Sequence, residues 1–146
     1  MRFAGRIFKS GGYWAIEVPI LGVFTQGRTE QEAYEMIADA IESLVNKENF
    51  KVDVYPGEGE YFEVASQDLA AMIAFLLRRQ RLRHGLSLSE VAQHLSAKSL
   101  NAYARYEQGK SIPTIEKFNQ LLSAVSPETD FVLVESQVHH STLAHP

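Results

Sequence analysis

The chain has 146 residues, with 45% hydrophobic and 22% charged side chains, ordinary proportions for a folded protein that exclude wholesale disorder and fibrous repeats. It contains no cysteine, which rules out disulfides, thiolate metal sites and a cysteine nucleophile. The formal charge of -4 is unevenly divided: residues 1–66 hold six Lys/Arg against eleven Asp/Glu, residues 67–126 eight against four, and residues 127–146 none against three. An acidic block, a basic block and an acidic tail predict two modules that meet different partners. No apolar run approaches the roughly 20 residues of a membrane span. The start, Met1-Arg2-Phe3-Ala4-Gly5-Arg6, lacks the apolar segment of a signal peptide, so the chain is expected to act in the cytoplasm without a membrane.

In chain order, the alternation from Phe3 to Lys9, the break at Ser10-Gly11-Gly12 and the run Tyr13–Val18 predict a β-hairpin. Pro19 ends the pairing, and Val23-Phe24-Thr25-Gln26 adds a short third strand. Thr29-Glu30-Gln31-Glu32 is a capping box that opens a helix to about Lys47, with Ala33, Ile37, Ile41, Leu44 and Val45 as its apolar stripe. Phe50–Tyr55 alternates again as a strand closed by Pro56-Gly57, and Tyr61–Val64 makes a last short one. The acidic residues Glu30, Glu32, Glu35, Asp39 and Glu42 follow the solvent face of that helix rather than converging on one point, and no phosphate loop or serine–histidine pairing is present. No catalytic residue is assigned and no enzyme is expected.

From Gln67 the texture changes. Leu69, Met72, Ile73, Leu76 and Leu77 form a helical stripe, followed by Arg78, Arg79, Arg81 and Arg83, more cations than a helix end needs and candidates in part for phosphate contact. Gly85 ends the helix, and Ser87-Leu88-Ser89-Glu90 is a second capping box, whose helix buries Leu88, Val91, Ala92 and Leu95. Ala92 suits a close helix crossing, where little beyond a methyl group fits. A third helix runs from Ser99 or Leu100 to about Gln108, with Tyr103 and Tyr106 inward and Asn101, Ala102 and Arg105 outward, and Gly109 stops it. Thr114 caps a fourth, with Ile115, Phe118, Leu121, Leu122 and Val125 as its core face. Four short helices around one small core leave the third exposed along one side, free to enter a major groove about 12 Å wide.

Leu86-Ser87-Leu88-Ser89-Glu90-Val91-Ala92-Gln93-His94-Leu95 followed by Tyr103-Ala104-Arg105-Tyr106-Glu107-Gln108-Gly109-Lys110-Ser111-Ile112-Pro113 resembles the Cro/C1 (XRE) helix-turn-helix family. Ser96 replaces the usual turn glycine, and the stretch from Leu95 to Tyr106 is one residue longer than the common form. The resemblance implies Lys98, Ser99, Asn101, Ala102, Arg105 and Lys110 as DNA-binding residues, with Glu107 fixing the helix end. The first half, through Tyr13-Trp14-Ala15-Ile16-Glu17-Val18-Pro19, Gly22-Val23-Phe24-Thr25-Gln26-Gly27-Arg28-Thr29 and Glu32-Ala33, is similar to the HicB antitoxin domain. That resemblance implies as partners a HicA-type toxin that cleaves RNA and operator DNA, and a homodimer or homotetramer that represses its own operon.

The expected fold is α+β: a small antiparallel sheet with one helix over residues 1–64, HicB-like and partly RNase H-like, then an all-α helix-turn-helix domain over 65–135 and a flexible tail over 136–146. The alternatives are a stand-alone regulator whose first domain senses a ligand or protein, and an RNase H-like enzyme, which lacks the clustered strand carboxylates it needs. Phe131-Val132-Leu133-Val134 reads as strand-like, either pairing between subunits or packing on its own domain. His139, His140 and His145 are not read as metal ligands, because adjacent histidines point apart and no carboxylate supports them. No cofactor is expected.

Overall fold

The computed structural model describes residues 1–95 and 100–138. The chain divides into two compact units, Met1–Asp68 together with the chain from Glu135, and Leu69–Val134.

The first unit is a five-stranded sheet with one helix. Strands β1 (Phe3–Ser10), β2 (Tyr13–Val18), β3 (Val23–Gly27), β4 (Asp53–Pro56) and β5 (Tyr61–Ala65) lie in the order β3-β2-β1-β5-β4. Every neighbouring pair is antiparallel, with Ile7 opposite Ile16, Ala4 opposite Glu63 and Val54 opposite Val64. The strand period of two sends Phe3, Ile7, Ile16, Val18, Val54, Phe62 and Val64 into the core. Helix α1 (Glu30–Val45) supplies Ala33, Tyr34, Ile37, Ala38 and Ile41 to that core. The Tyr34 ring meets Phe62 edge-on at 5.7 Å, and burial, followed by the charge of Glu30, pushes the Tyr34 pKa up to about 12.

Local chemistry sets the limits of these elements. One half of the predicted capping box opens α1, the Thr29 hydroxyl accepting from the Glu32 amide at 3.0 Å. The stripe gives out in the last turn, where Leu44 is exposed. The strand expected from Phe50 starts only at Asp53, because the Val52 amide donates to the Glu42 carboxylate at 2.9 Å and the Phe50 amide closes a turn on the Lys47 carbonyl. Gly27 has a steric origin: a Cβ there would sit 2.4 Å from the backbone nitrogen of Ala33. The first turn of α1 thus rests directly on the end of β3, which gives the Thr25-Gln26-Gly27-Arg28-Thr29 segment a packing reason.

The second unit consists of α2 (Leu69–Arg83), α3 (Leu88–His94), α4 (Leu100–Glu107) and α5 (Ile115–Val125). Helix α2 is buried at every position from Ala71 to Leu77, wider than the stripe expected of it, and it packs on α4 and α5. Helix α3 packs on α4 and α5 with Val91 and Ala92 buried. Leu121, Leu122, Ala124 and Val125 form the buried face of α5, whereas Ile115, expected in that face, is exposed. It occupies the first helical position, nearly two turns before Leu121, where the buried face begins.

Phe131–Val134 forms no strand. Ser136, Gln137 and Val138, placed by the sequence in a flexible tail, are instead held on the first unit. The Ser136 hydroxyl donates to Glu63 at 2.6 Å, the Gln137 amide donates to the same carboxylate at 3.3 Å, and Val138 is buried. Glu63 also accepts from Arg2 at 3.0 Å and from the Tyr61 hydroxyl. A carboxylate with four donors is a strong short-range attractor that the sequence pattern did not reveal. Residues 139–146, including His139, His140 and His145, lie outside the described residues. Among the described residues no helix is long and apolar enough to cross a membrane.

Candidate nucleic-acid interface

Helix α4 carries the expected reading face, and its neighbours show how that face is held. Ser87 and Glu90 complete a reciprocal capping box at the start of α3, with bonds of 3.0 and 3.1 Å. The Ser87 amide, and after it the Ser87 hydroxyl, hold the Glu90 carboxyl below its ordinary pKa. At the other end of α3 the His94 Nδ1 donates to the carbonyl of Ala124 on α5 at 3.1 Å. His84 ties the end of α2 in the same way: Nδ1 donates to Gln80 at 2.8 Å, leaving Nε2 to accept from the Ser126 hydroxyl at 3.4 Å.

Below α4 lies a buried polar cluster. The Arg81 guanidinium donates to both Glu107 carboxylate oxygens, at 2.7 and 3.0 Å, and a third donor reaches the carbonyl of Leu86 at 3.0 Å. The two side chains are only 13% and 7% exposed, so the fork is largely shielded from water. Its hydrogen bonds to Glu107 outweigh burial and raise the Arg81 pKa. Tyr103 is buried beside this pair, its hydroxyl close to both charges but outside hydrogen-bond geometry with any of the described residues. Burial first, then the adjacent Glu107 carboxylate, raises its pKa far above the phenol range. The last turn of α4 is thereby fixed to the end of α2 and to the turn that leads into α3.

On the opposite side of α4, Asn101, Ala102 and Arg105 are exposed. Asn101 and Arg105 are four residues apart and so share one face. Gln108, also exposed, continues that face: its amide still bonds to Ala104 at 3.0 Å. Gln108 was missed in the sequence, although its spacing of three from Arg105 could have identified it. Lys110 is exposed in the turn after the helix, where its amide meets the Arg105 carbonyl at 3.3 Å. Gly109, with φ +69°, makes this reversal. Lys98 and Ser99 lie outside the described residues.

The arginine run separates into distinct roles. Arg81 is committed to Glu107 and Leu86 and is not a phosphate ligand. Arg78 and Arg79 approach the Phe75 ring, their guanidinium carbons 5.6 and 5.9 Å from its centroid. Arg83 is exposed at the end of α2. Among the described residues no group of three or more His, Asp or Glu is placed to hold a metal ion.

A family model described as a helix-turn-helix domain matches residues 73–126. No curated protein matches the chain. The matched segment runs from within α2 to the residue after α5, so it includes the expected reading face and the Arg81–Glu107 pair beneath it. The second unit thus contains a helix-turn-helix domain, the kind of module found in DNA-binding regulators.

Proposed function

We propose that this helix-turn-helix protein is the antitoxin of a HicAB-type pair, binding operator DNA through α4 and a HicA-type RNA-cleaving toxin through its first unit. The DNA half of this reading is carried by one observation: the exposed face of Asn101, Ala102, Arg105 and Gln108, mounted on the buried Arg81–Glu107 fork. A helix held at its far end presents side chains to base edges in a fixed orientation, and little ordering cost remains at binding. Lys110 and the excess of Lys/Arg over residues 67–126 supply cations for phosphate. Lys98 and Ser99 belong to the same proposed surface by the sequence resemblance.

The toxin half is supported by the HicB-like stretch from Tyr13 to Ala33 and by the acidic balance of residues 1–66. An acidic surface favours encounter with a cationic, RNA-binding partner. The reading assigns the chain a blocking and repressing role in the cytoplasm, as a homodimer or homotetramer, with no chemistry of its own. Selection of bound fragments from genomic DNA, followed by binding measurements on the enriched sequence, tests the first half. Co-expression with any small basic protein found encoded beside it tests the second. Failure to form a stable complex or to relieve toxicity would contradict the antitoxin role and, with DNA binding retained, would leave a stand-alone regulator.

A further inference from the structure

We infer that the outer face of the five-stranded sheet is the docking surface for the basic toxin, with a partner arginine seated between Phe8 and Phe24 and paired with Glu17. This rests on the antitoxin reading above and adds the place of contact to it. Helix α1 covers one face of the sheet. The other carries the Ser136–Val138 segment at Glu63 and is open across β1, β2 and β3, where Ala4, Arg6, Phe24 and Gln26 are exposed. The open part is continuous with a contact that already holds an extended piece of chain.

The strand register shapes a notch on this face. It places Arg6, Glu17 and Phe24 in one row across three strands, and Phe8, Ala15 and Gln26 in the next. Phe24 is 62% exposed, whereas Ala15 is only 6% exposed, so the surface dips to a methyl group between larger side chains. Arg6 is committed elsewhere: it donates to Glu60 at 3.0 Å, and its guanidinium carbon lies 4.3 Å from the Phe8 ring centroid. Arg2 is matched by Glu63 at 3.0 Å. The half-buried Glu17 carboxylate has no hydrogen bond or ion pair among the described residues. Set beside two aromatic rings, it gains more from a cation brought by a partner than a fully solvated carboxylate does.

Charge selects the occupant. The strands and the β4–β5 turn present two arginines on this face, Arg2 and Arg6, against four carboxylates, Glu17, Asp53, Glu60 and Glu63. The excess is negative and favours a basic partner. An RNA strand would bring phosphates against it, and a second copy of the same face would bring the same excess. Arginine fits the notch better than lysine, because its planar guanidinium stacks on aromatic rings while its fork reaches a carboxylate. Arginines that an RNA-binding protein keeps for phosphate are thereby occupied, which blocks the partner without any chemistry in this chain.

The test uses the full chain, with the small basic protein found encoded beside it as the probe. In titration calorimetry Glu17→Lys weakens the complex at least about thirty-fold and Phe24→Ala about ten-fold. Asp39→Lys, the same charge reversal on the exposed side of α1, changes it less than about three-fold. Both variants on the sheet keep the native circular dichroism spectrum and melting midpoint, since neither side chain belongs to the core. The chain has no native cysteine, so Phe24→Cys can carry a bulky maleimide label. The labelled chain no longer relieves toxicity, whereas Asp39→Cys with the same label does. A complex indifferent to Glu17→Lys and to the Phe24 label, or weakened equally by Asp39→Lys, would overturn the inference and leave the antitoxin reading standing. Single-stranded RNA binding or self-association that Phe24→Ala abolishes would overturn it too, by giving the face another occupant. No such neighbouring protein, or one that the native chain does not bind, refutes the antitoxin reading and this surface with it.

Discussion

Replacing Glu107 with alanine strips the Arg81 guanidinium of both carboxylate bonds, at 2.7 and 3.0 Å, and leaves it the Leu86 carbonyl at 3.0 Å and the nearby Tyr103 hydroxyl among the described residues. The Arg81 side chain is 13% exposed, so water replaces little of what is lost. Removing one partner of a buried ion pair costs about 3–5 kcal/mol. In a unit of this size each kcal/mol lowers the melting midpoint by about 4–8 °C, so a fall of at least about 12 °C is expected. Thermal unfolding followed by circular dichroism at 222 nm, dominated by the helices, measures the fall, and urea unfolding measures the free energy. The double variant Arg81→Met, Glu107→Leu removes both charges and recovers more than half of the loss, because no buried charge is then left unpaired. Operator binding falls with the single variant, since the end of α4 loses its tether. A Glu107→Ala chain within about 0.5 kcal/mol of native stability, inside the ordinary range of surface substitutions, would refute the role given to the fork.

Arg105→Ala weakens binding to the selected operator by about 1–3 kcal/mol in fluorescence anisotropy, roughly ten-fold or more, with thermal stability unchanged; equal loss on random DNA would instead mark Arg105 as a phosphate contact. Gly27→Ala forces a Cβ to within 2.4 Å of the Ala33 nitrogen and costs about 1–3 kcal/mol of first-unit stability, readable through the fluorescence of Trp14, the single tryptophan. Burial opposes ionisation of Glu63, but the bonds from Ser136, Tyr61, Arg2 and the Gln137 amide outweigh it and lower its pKa from 4.5. Its stabilisation is therefore fully present above pH 4.5 and lost as the pH falls through the lower folded value. Amide exchange at Gln137 should stay protected at neutral pH and speed up only in that acid range, and Glu63→Gln should weaken the protection at neutral pH.

Much of this architecture is legible because short-range rules fix it. The Gly11-Gly12 break, the Ser87–Glu90 box and the period of α5 each depend on neighbours a few residues away. The α+β order and the exposure of Asn101, Ala102 and Arg105 follow from those periods. Contacts between distant residues were not legible. Nothing in the run of arginines separates Arg81 from Arg83, since the difference lies in Glu107, 26 residues further on. The anchoring of Ser136 similarly depends on Glu63, 73 residues earlier. Ile115 has the right residue type for a core but sits nearly two turns ahead of the buried face of α5. The late start of β4 reflects competition for the Val52 amide by the Glu42 side chain, which alternation alone does not show.

The central claim is sequence-specific DNA binding by α4. It is tested most directly by the affinity of the full chain for its selected operator as salt is raised, beside Arg105→Ala on the same DNA. Counterion release predicts a linear fall of log affinity with log salt, at about 0.9 per phosphate neutralised. The native chain should prefer its operator over random sequence, and the variant should lose that preference. No enriched sequence, or an affinity indifferent to both salt and Arg105, would contradict it.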